Sequence, residues 1–108
     1  MFLPVPEALT VLGEPRRRRI LDVLRAGEAS VGDLVDELGV SQPLVSKHLR
    51  VLREAGLVSA RVDGQRRLYR LRPEPLVELD AWLEPYRQLW THSLDRLEAH
   101  LTQGETDE

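Results

Sequence analysis

The chain has 108 residues, 42% of them hydrophobic and 31% charged, with a formal net charge of −3 and no cysteine. That length suffices for one modest core and is too short for two, no apolar run approaches the ~18 residues of a membrane span, and without a thiol there are no disulfides, thiolate metal sites or thiol redox chemistry. The expectation is a single domain over 1–108, located in the cytoplasm, with no membrane partner. In "MFLPVPEALTVLGEPRRRR" the basic residues follow the apolar ones and Pro4 and Pro6 interrupt them. A secretory signal has the opposite order, so residue 1 reads as mature sequence.

The small net charge conceals a segregation. Residues 1–72 carry 13 Lys+Arg against 9 Asp+Glu, whereas residues 73–108 carry 2 against 9. Within 41–72 the count is 8 basic to 2 acidic, a local +6. Local rather than total charge decides what such a surface attracts, and here it favours a nucleic acid.

In chain order, Pro6 to Leu12 reads as a short helix stopped at Gly13, with Leu9 and Leu12 on one side. Pro15 then occupies the favoured first-turn position of a second helix, with Ile20, Leu21, Val23 and Leu24 on its core face and Gly27 as its stop. The run Arg16 to Arg19 points in four directions on a helix, which suits surface ion pairs and packing better than a shared phosphate clamp. Ser30, with Asp33 three residues on, is a capping-box signal, followed by Val31, Leu34, Val35 and Leu38 at helical spacing up to Gly39. Ser41 repeats the capping signal, and Val45, Leu49 and Leu52 define a buried stripe at i, i+4 and i+7 until Gly56.

Only "GVS" joins these last two helices. A short helix, a tight turn and a second capped helix form a helix-turn-helix signature, in which the second helix lies in the major groove of double-stranded DNA. With the aliphatic stripe inward, Gln42, Pro43, Ser46, Lys47 and Arg50 face outward beside Ser41. Gln suits adenine, Ser several groups, and Lys guanine or phosphate. His48 turns toward the helix flank, where it is assigned a structural hydrogen bond or a backbone-phosphate contact rather than base reading.

From Leu57 the period changes. "LVSARV" and "RRLYRL" are β-prone runs around "DGQ", with Asp63-Gly64 as the hairpin-turn signal. Strict alternation cannot bury both Leu68 and Leu71, so Tyr69 and Leu71 are placed inward and Leu68 is partly covered. Gln65, Arg66 and Arg67 project at or beside the tip, suited to minor-groove or phosphate contact.

In "PEPLVELDAWLEPYRQLWTHSLDRLEAHL" apolar residues fall at 76, 79, 83, 86, 90, 94, 97 and 101, close to a heptad seam. A helix from Leu76 to Leu101 is ~38 Å long at 1.5 Å per residue, more stripe than so small a domain covers, and a second subunit is its natural cover. Pro85 removes a donor and crowds the preceding turn, so a kink or a split into two helices is expected there. Trp82, Tyr86 and Trp90 share a stripe, read as dimer-core packing rather than a ligand pocket. His92 and His100 are too far apart along the helix to share an ion, and only "TQGETDE" reads as frayed.

The stretch "VLGEPRRRRILDVLRAGEASVGDLVDELGVSQPLVSKHLRVLREAGLVSARVDGQRRLYRL", residues 11–71, resembles the ArsR (ArsR/SmtB-like) winged-helix repressors in motif order and spacing. The resemblance implies a mainly α fold of about five helices with a small β-hairpin, a DNA-binding core over 6–71 and a C-terminal dimerisation helix or kinked helix pair over 73–103. It also implies a homodimer on a partly palindromic operator near its own promoter, blocking transcription. Positions matching the family's DNA contacts are Gln42, Pro43, Ser46 and Lys47 in the recognition helix and Gln65, Arg66 and Arg67 in the wing. The expected subunit interface comprises Leu9, Leu12, Leu79, Leu83, Tyr86, Trp90, Leu94 and Leu97.

The chain departs from the metal-sensing members. Their cysteine pair at the start of the helix before the recognition helix is replaced by Ser30 and Gly32 in "EASVGDL", and their Asp and His at the last helix by the prolines of "RPEPL". No metal and no cofactor is therefore expected. There is no glycine-rich phosphate loop beside a strand and no Ser-His-Asp context, so an enzyme is not expected. Two alternatives stay open: a small-molecule-responsive regulator with an aromatic effector pocket at Trp82, Tyr86 and Trp90, and a winged-helix protein-interaction module. Neither operator sequence nor effector is specified by the sequence.

Overall fold

The computed structural model describes the backbone of residues 6–106 and the side chains of residues 6–102. Met1–Val5, on which part of the leader reading falls, and the last two residues of the expected frayed tail lie outside them. Five helices and three strands follow in the order α1 Glu7–Val11, α2 Pro15–Ala26, β1 Ala29–Ser30, α3 Val31–Leu38, α4 Gln42–Glu54, β2 Val58–Asp63, β3 Arg66–Leu71 and α5 Glu74–Thr106. No described helix is long and apolar enough to cross a membrane.

The local signals act as their chemistry dictates. Glu14 caps α2 by accepting the Arg16 N–H at 3.0 Å, ahead of Pro15, which has no N–H to satisfy. Ser30 and Asp33 form both bonds of a capping box: Asp33 N–H donates to Ser30 Oγ at 3.1 Å and Ser30 N–H donates to the Asp33 carboxylate at 3.0 Å. At the end of α4, Leu57 N–H reaches back to the Leu52 carbonyl at 2.9 Å and Gly56 N–H to that of Arg53 at 3.0 Å. This closure requires a left-handed residue, met by Gly56 at φ +76°.

The core lies where α2, α3 and α4 meet the sheet. Ile20, Leu34, Val45, Leu49, Leu52 and Leu57 are its most deeply buried large side chains. The sheet has three antiparallel strands in the order β1-β3-β2, one more than the expected hairpin. Ala29 pairs with Tyr69 and Ser30 with Leu68. A two-residue strand leaves no period in a sequence. It nonetheless corrects the assignment of Leu68, which is buried together with Tyr69 while Leu71 is half-buried. Leu68 lies on the outer face, beneath β1 and beside Arg61, its cross-strand partner, whose guanidinium is tied to Glu28 at 2.9 Å.

Asp63 pairs with Arg66, so the hairpin loop is Gly64-Gln65 rather than Asp63-Gly64. Gly64 has φ +65° and no described non-glycine residue has positive φ, the pattern of a tight turn with glycine first. At the C-terminal segment one of the two outcomes expected at Pro85 is excluded. α5 is one helix of 33 residues with Pro85 inside it, so the split does not occur. The carbonyl that Pro85 cannot reach belongs to Ala81, which is exposed and open to solvent.

Ser30→Ala should lower the unfolding free energy by about 1 kcal/mol, the usual worth of a serine cap. Ser41 occupies the same position on α4 but makes no side-chain cap bond, and Ser41→Ala should shift stability by less than about 0.5 kcal/mol. Urea denaturation of the two variants checks the contrast.

Candidate nucleic-acid interface

α4 has a strict division of faces. Val45, Leu49 and Leu52 are 0%, 1% and 0% exposed, while Ser41, Gln42, Pro43, Ser46, Lys47 and Arg50 are exposed. Pro43 in the first turn removes an N–H that a capping oxygen would take. The Leu44 N–H remains, but the Ser41 hydroxyl makes no cap bond and stands beside Gln42 at the helix tip.

The wing brings further cations to this helix. Alternation along β3 sends Arg66, Leu68 and Arg70 to the outer face and Arg67, Tyr69 and Leu71 to the face that continues the core. Tyr69 closes the inner end of an open groove of about 310 Å³ between α4 and the wing, lined by Ser46, Leu49, Arg50, Arg53, Arg67 and Tyr69. Neither Lys47, Arg50, Arg53 nor Arg67 is ion-paired with another described residue. The groove concentrates positive charge between an exposed helix tip and an exposed hairpin tip. Gln65 sits in the turn, and Arg66 lies 3.7 Å from the Asp63 carboxylate across the strand ends.

Arg53 was missed by sequence reasoning, which stopped at the N-terminal half of the helix. Its signal was present, because 46, 50 and 53 repeat at four and three residues and share one edge of α4.

His48 corrects the expected contact set. It is 6% exposed, and its Nδ1 accepts a hydrogen bond from Arg17 Nε at 3.3 Å. Facing α2, it is removed from the outward row that holds Lys47. Its Nε2 is buried without a partner among the described residues, a cost of about 1–3 kcal/mol for one orphaned donor. Burial, then the charge of Arg17, hold His48 below the ordinary imidazole pKa, with Glu14 opposing and Arg16 and Lys47 adding to the effect.

Of the surface ion pairs and packing expected of the arginine run, three of its members serve the packing, through hydrogen bonds to neighbouring helix ends. Arg17 Nη1 donates to the Val11 carbonyl at 3.2 Å and Arg18 Nη1 to that of Leu12 at 2.7 Å, both at the end of α1. Arg19 Nη1 reaches the Leu38 carbonyl at the end of α3 at 3.5 Å. Three successive arginines thus satisfy carbonyls that helix ends leave open, where cations also suit the helix dipole.

The expected interface residues divide along α5. Leu76 and Leu79 pack on the core and Leu83 is half-buried, as is Leu12. Leu9, Tyr86, Trp90, Leu94, Leu97 and Leu101 are exposed, the last five by 47–61%. Trp82 and Tyr86 contact each other with ring centroids 5.1 Å apart. Among the described residues no group of three or more His, Cys, Asp or Glu is arranged to hold a metal ion.

The His48 environment has a thermodynamic consequence. The folded protein binds its proton less readily than the unfolded chain, whose imidazole titrates near 6.5. Stability should therefore be full above that value and decline as pH falls through it, until the folded protein is itself protonated. In His48→Gln the decline just below about pH 6.5 should flatten, as read by urea midpoints across that range.

The sequence matches the bacterial regulatory protein, arsR family, over residues 14–60. It is 41% identical over 87 residues to the HTH-type transcriptional regulator Rv2034 of Mycobacterium tuberculosis (strain ATCC 25618 / H37Rv), covering 81% of this chain and 78% of that one. It is 33% identical over 72 residues to the transcriptional repressor SdpR of Bacillus subtilis (strain 168), covering 67% and 80%. A crystal structure of a possible transcriptional regulator for arsenical resistance superposes with a TM-score of 0.69 at 44% identity, covering 88% of this chain and 96% of the other. With its paired helices, basic hairpin and these relatives, the chain belongs to the ArsR family of DNA-binding transcriptional regulators and is not an enzyme.

Proposed function

We propose that the chain is a homodimeric, sequence-specific repressor of a partly palindromic operator. The two copies of α4 would enter successive major grooves ~34 Å apart, with each wing against the flanking backbone. The observation that carries this reading is the exposed row Gln42, Ser46 and Lys47 beside the groove of Arg50, Arg53 and Arg67. Gln42 has the bidentate amide that suits adenine, while the cations neutralise phosphates and release counterions. Arg66 is held to Asp63 only by an exposed pair, which contributes little and yields to a phosphate.

The dimer would be built from α1 and α5, through Leu9, Leu12, Leu79, Leu83, Tyr86, Trp90, Leu94 and Leu97, leaving 6–71 as the DNA-binding core and 73–103 as the dimerisation element. The row of exposed leucines and aromatics on one helix supports this, because a monomer rarely leaves such a continuous apolar stripe in water. Repression independent of a thiolate metal sensor is supported by the absence of cysteine and by Ser30, whose hydroxyl caps α3. The contact between Trp82 and Tyr86 favours packing over an effector slot there.

Selection of duplexes from a random pool should return a site with two related half-sites. On that duplex, Lys47→Ala and Arg67→Ala should each weaken binding and reduce the salt slope by about 1 per lost phosphate contact. Arg61→Ala, on the outer face and tied to Glu28, should leave the slope unchanged. Gln42→Ala should cost ~1–3 kcal/mol at one base position and little elsewhere; a uniform loss on all sequences would make Gln42 a backbone contact instead.

Trp90→Glu with Leu94→Lys should convert the dimer to monomer in sedimentation velocity. A double variant that sediments as the unmodified chain does would remove α5 from the interface.

A further inference from the structure

Arg17 stands in the first turn of α2 and joins two other elements. Its Nη1 donates to the Val11 carbonyl, the last residue of α1, and its Nε donates to His48 Nδ1 on the inward side of α4. α1 in turn packs on α5. One planar guanidinium, whose donors keep a fixed angle to each other, therefore spans the gap between the helix pair at the end of the molecule and the helix that presents Gln42, Ser46 and Lys47.

We infer that Arg17 is a positioning residue for DNA recognition: a strut that holds the rotational setting of α4 in register with α1. The inference rests on the DNA-binding reading above. Arg17 is half-buried between the elements it joins, and its bonds use none of the groups assigned to the duplex. The strut also fixes the imidazole. Nδ1 accepts only while it keeps its lone pair, so the ring is neutral with its proton on Nε2. Arg17 and Arg16 from α2, Glu14 at its cap and Lys47 on α4 itself are the charged groups that act on it. Three of the four are cationic and oppose a second proton, which on Nδ1 would point at the Arg17 N–H.

The experiment combines binding and spectroscopy on the full chain, with the duplex recovered by pool selection as probe. Arg17→Met and Arg17→Lys should each weaken binding about tenfold, the scale of one lost charge-assisted hydrogen bond, with the salt slope unchanged. His48→Leu should cost the same, and Arg17→Met with His48→Leu no more than either alone. His48→Asn, which keeps an acceptor near the Nδ1 position, should restore most of the loss.

A slope lowered by about 1 in Arg17→Met would make Arg17 a direct phosphate contact, and full affinity in Arg17→Lys would make it a bare charge; either overturns the strut. Additive losses in the double variant do so as well. Should a variant fail to fold, nitrogen-15 shifts of His48 in the unmodified protein decide: the Nε2–H tautomer is expected, and a proton on Nδ1 refutes the bond. Failure of the unmodified chain to retain any duplex would remove the DNA-binding reading and this one together. Failure confined to the variants would remove this one alone.

Discussion

The structure depends on the burial of three aliphatic side chains of α4. Val45, Leu49 and Leu52 are almost fully withdrawn from water against Ile20, Leu34 and Leu57, each contributing about 1.5–3 kcal/mol. Their sum is comparable with the whole stability of a small domain, about 5–15 kcal/mol, so no setting of the helix that exposes these three has similar energy. The same three residues that make the core thereby decide that residues 42, 46 and 47 point away from it. Fold and recognition surface are one constraint seen from two sides.

Charge is distributed to match. Lys47, Arg50, Arg53 and Arg67 stand at or beside the groove without ion pairs to described residues, while Arg61, Arg66 and Arg72 are paired; on α5, Asp80 and Glu84 are both engaged by Arg87 of the same helix. A chain of net −3 so keeps a cationic groove between α4 and the wing beside an acidic α5, two surfaces of opposite sign on one small chain.

Much of this was legible in the sequence because the signals were local. The cap at Ser30, the glycine stops and the spacing of Val45, Leu49 and Leu52 each act within a few residues, and the helices fall where they indicate, α4 starting after Ser41 without the side-chain cap bond expected there. What was not legible depends on partners distant in the chain. His48 is adjacent to Lys47, and its spacing from Val45 and Leu52 brings it to the edge of the buried stripe, but its partner, Arg17, lies 31 residues earlier. Arg17, Arg18 and Arg19 look like a surface charge run until the carbonyls of Val11, Leu12 and Leu38 are placed beside them. Leu68 is covered by a two-residue strand too short to announce itself. Of the kink or split expected at Pro85 the split does not occur, because on an exposed helix the freed carbonyl is open to solvent.

The short strand β1 has one mechanical outcome. Its residues pair with Leu68 and Tyr69 while Ser30 also begins α3, so the root of the hairpin is clamped from both sides. Beyond that clamp, Arg66 and Arg67 pair only with Asp63 and Val62. Bending is thus confined to a short outer arm of two rungs and a turn, which lets the cationic tip follow a widening or narrowing of the surface it meets while the hinge at its base transmits no displacement to the helices.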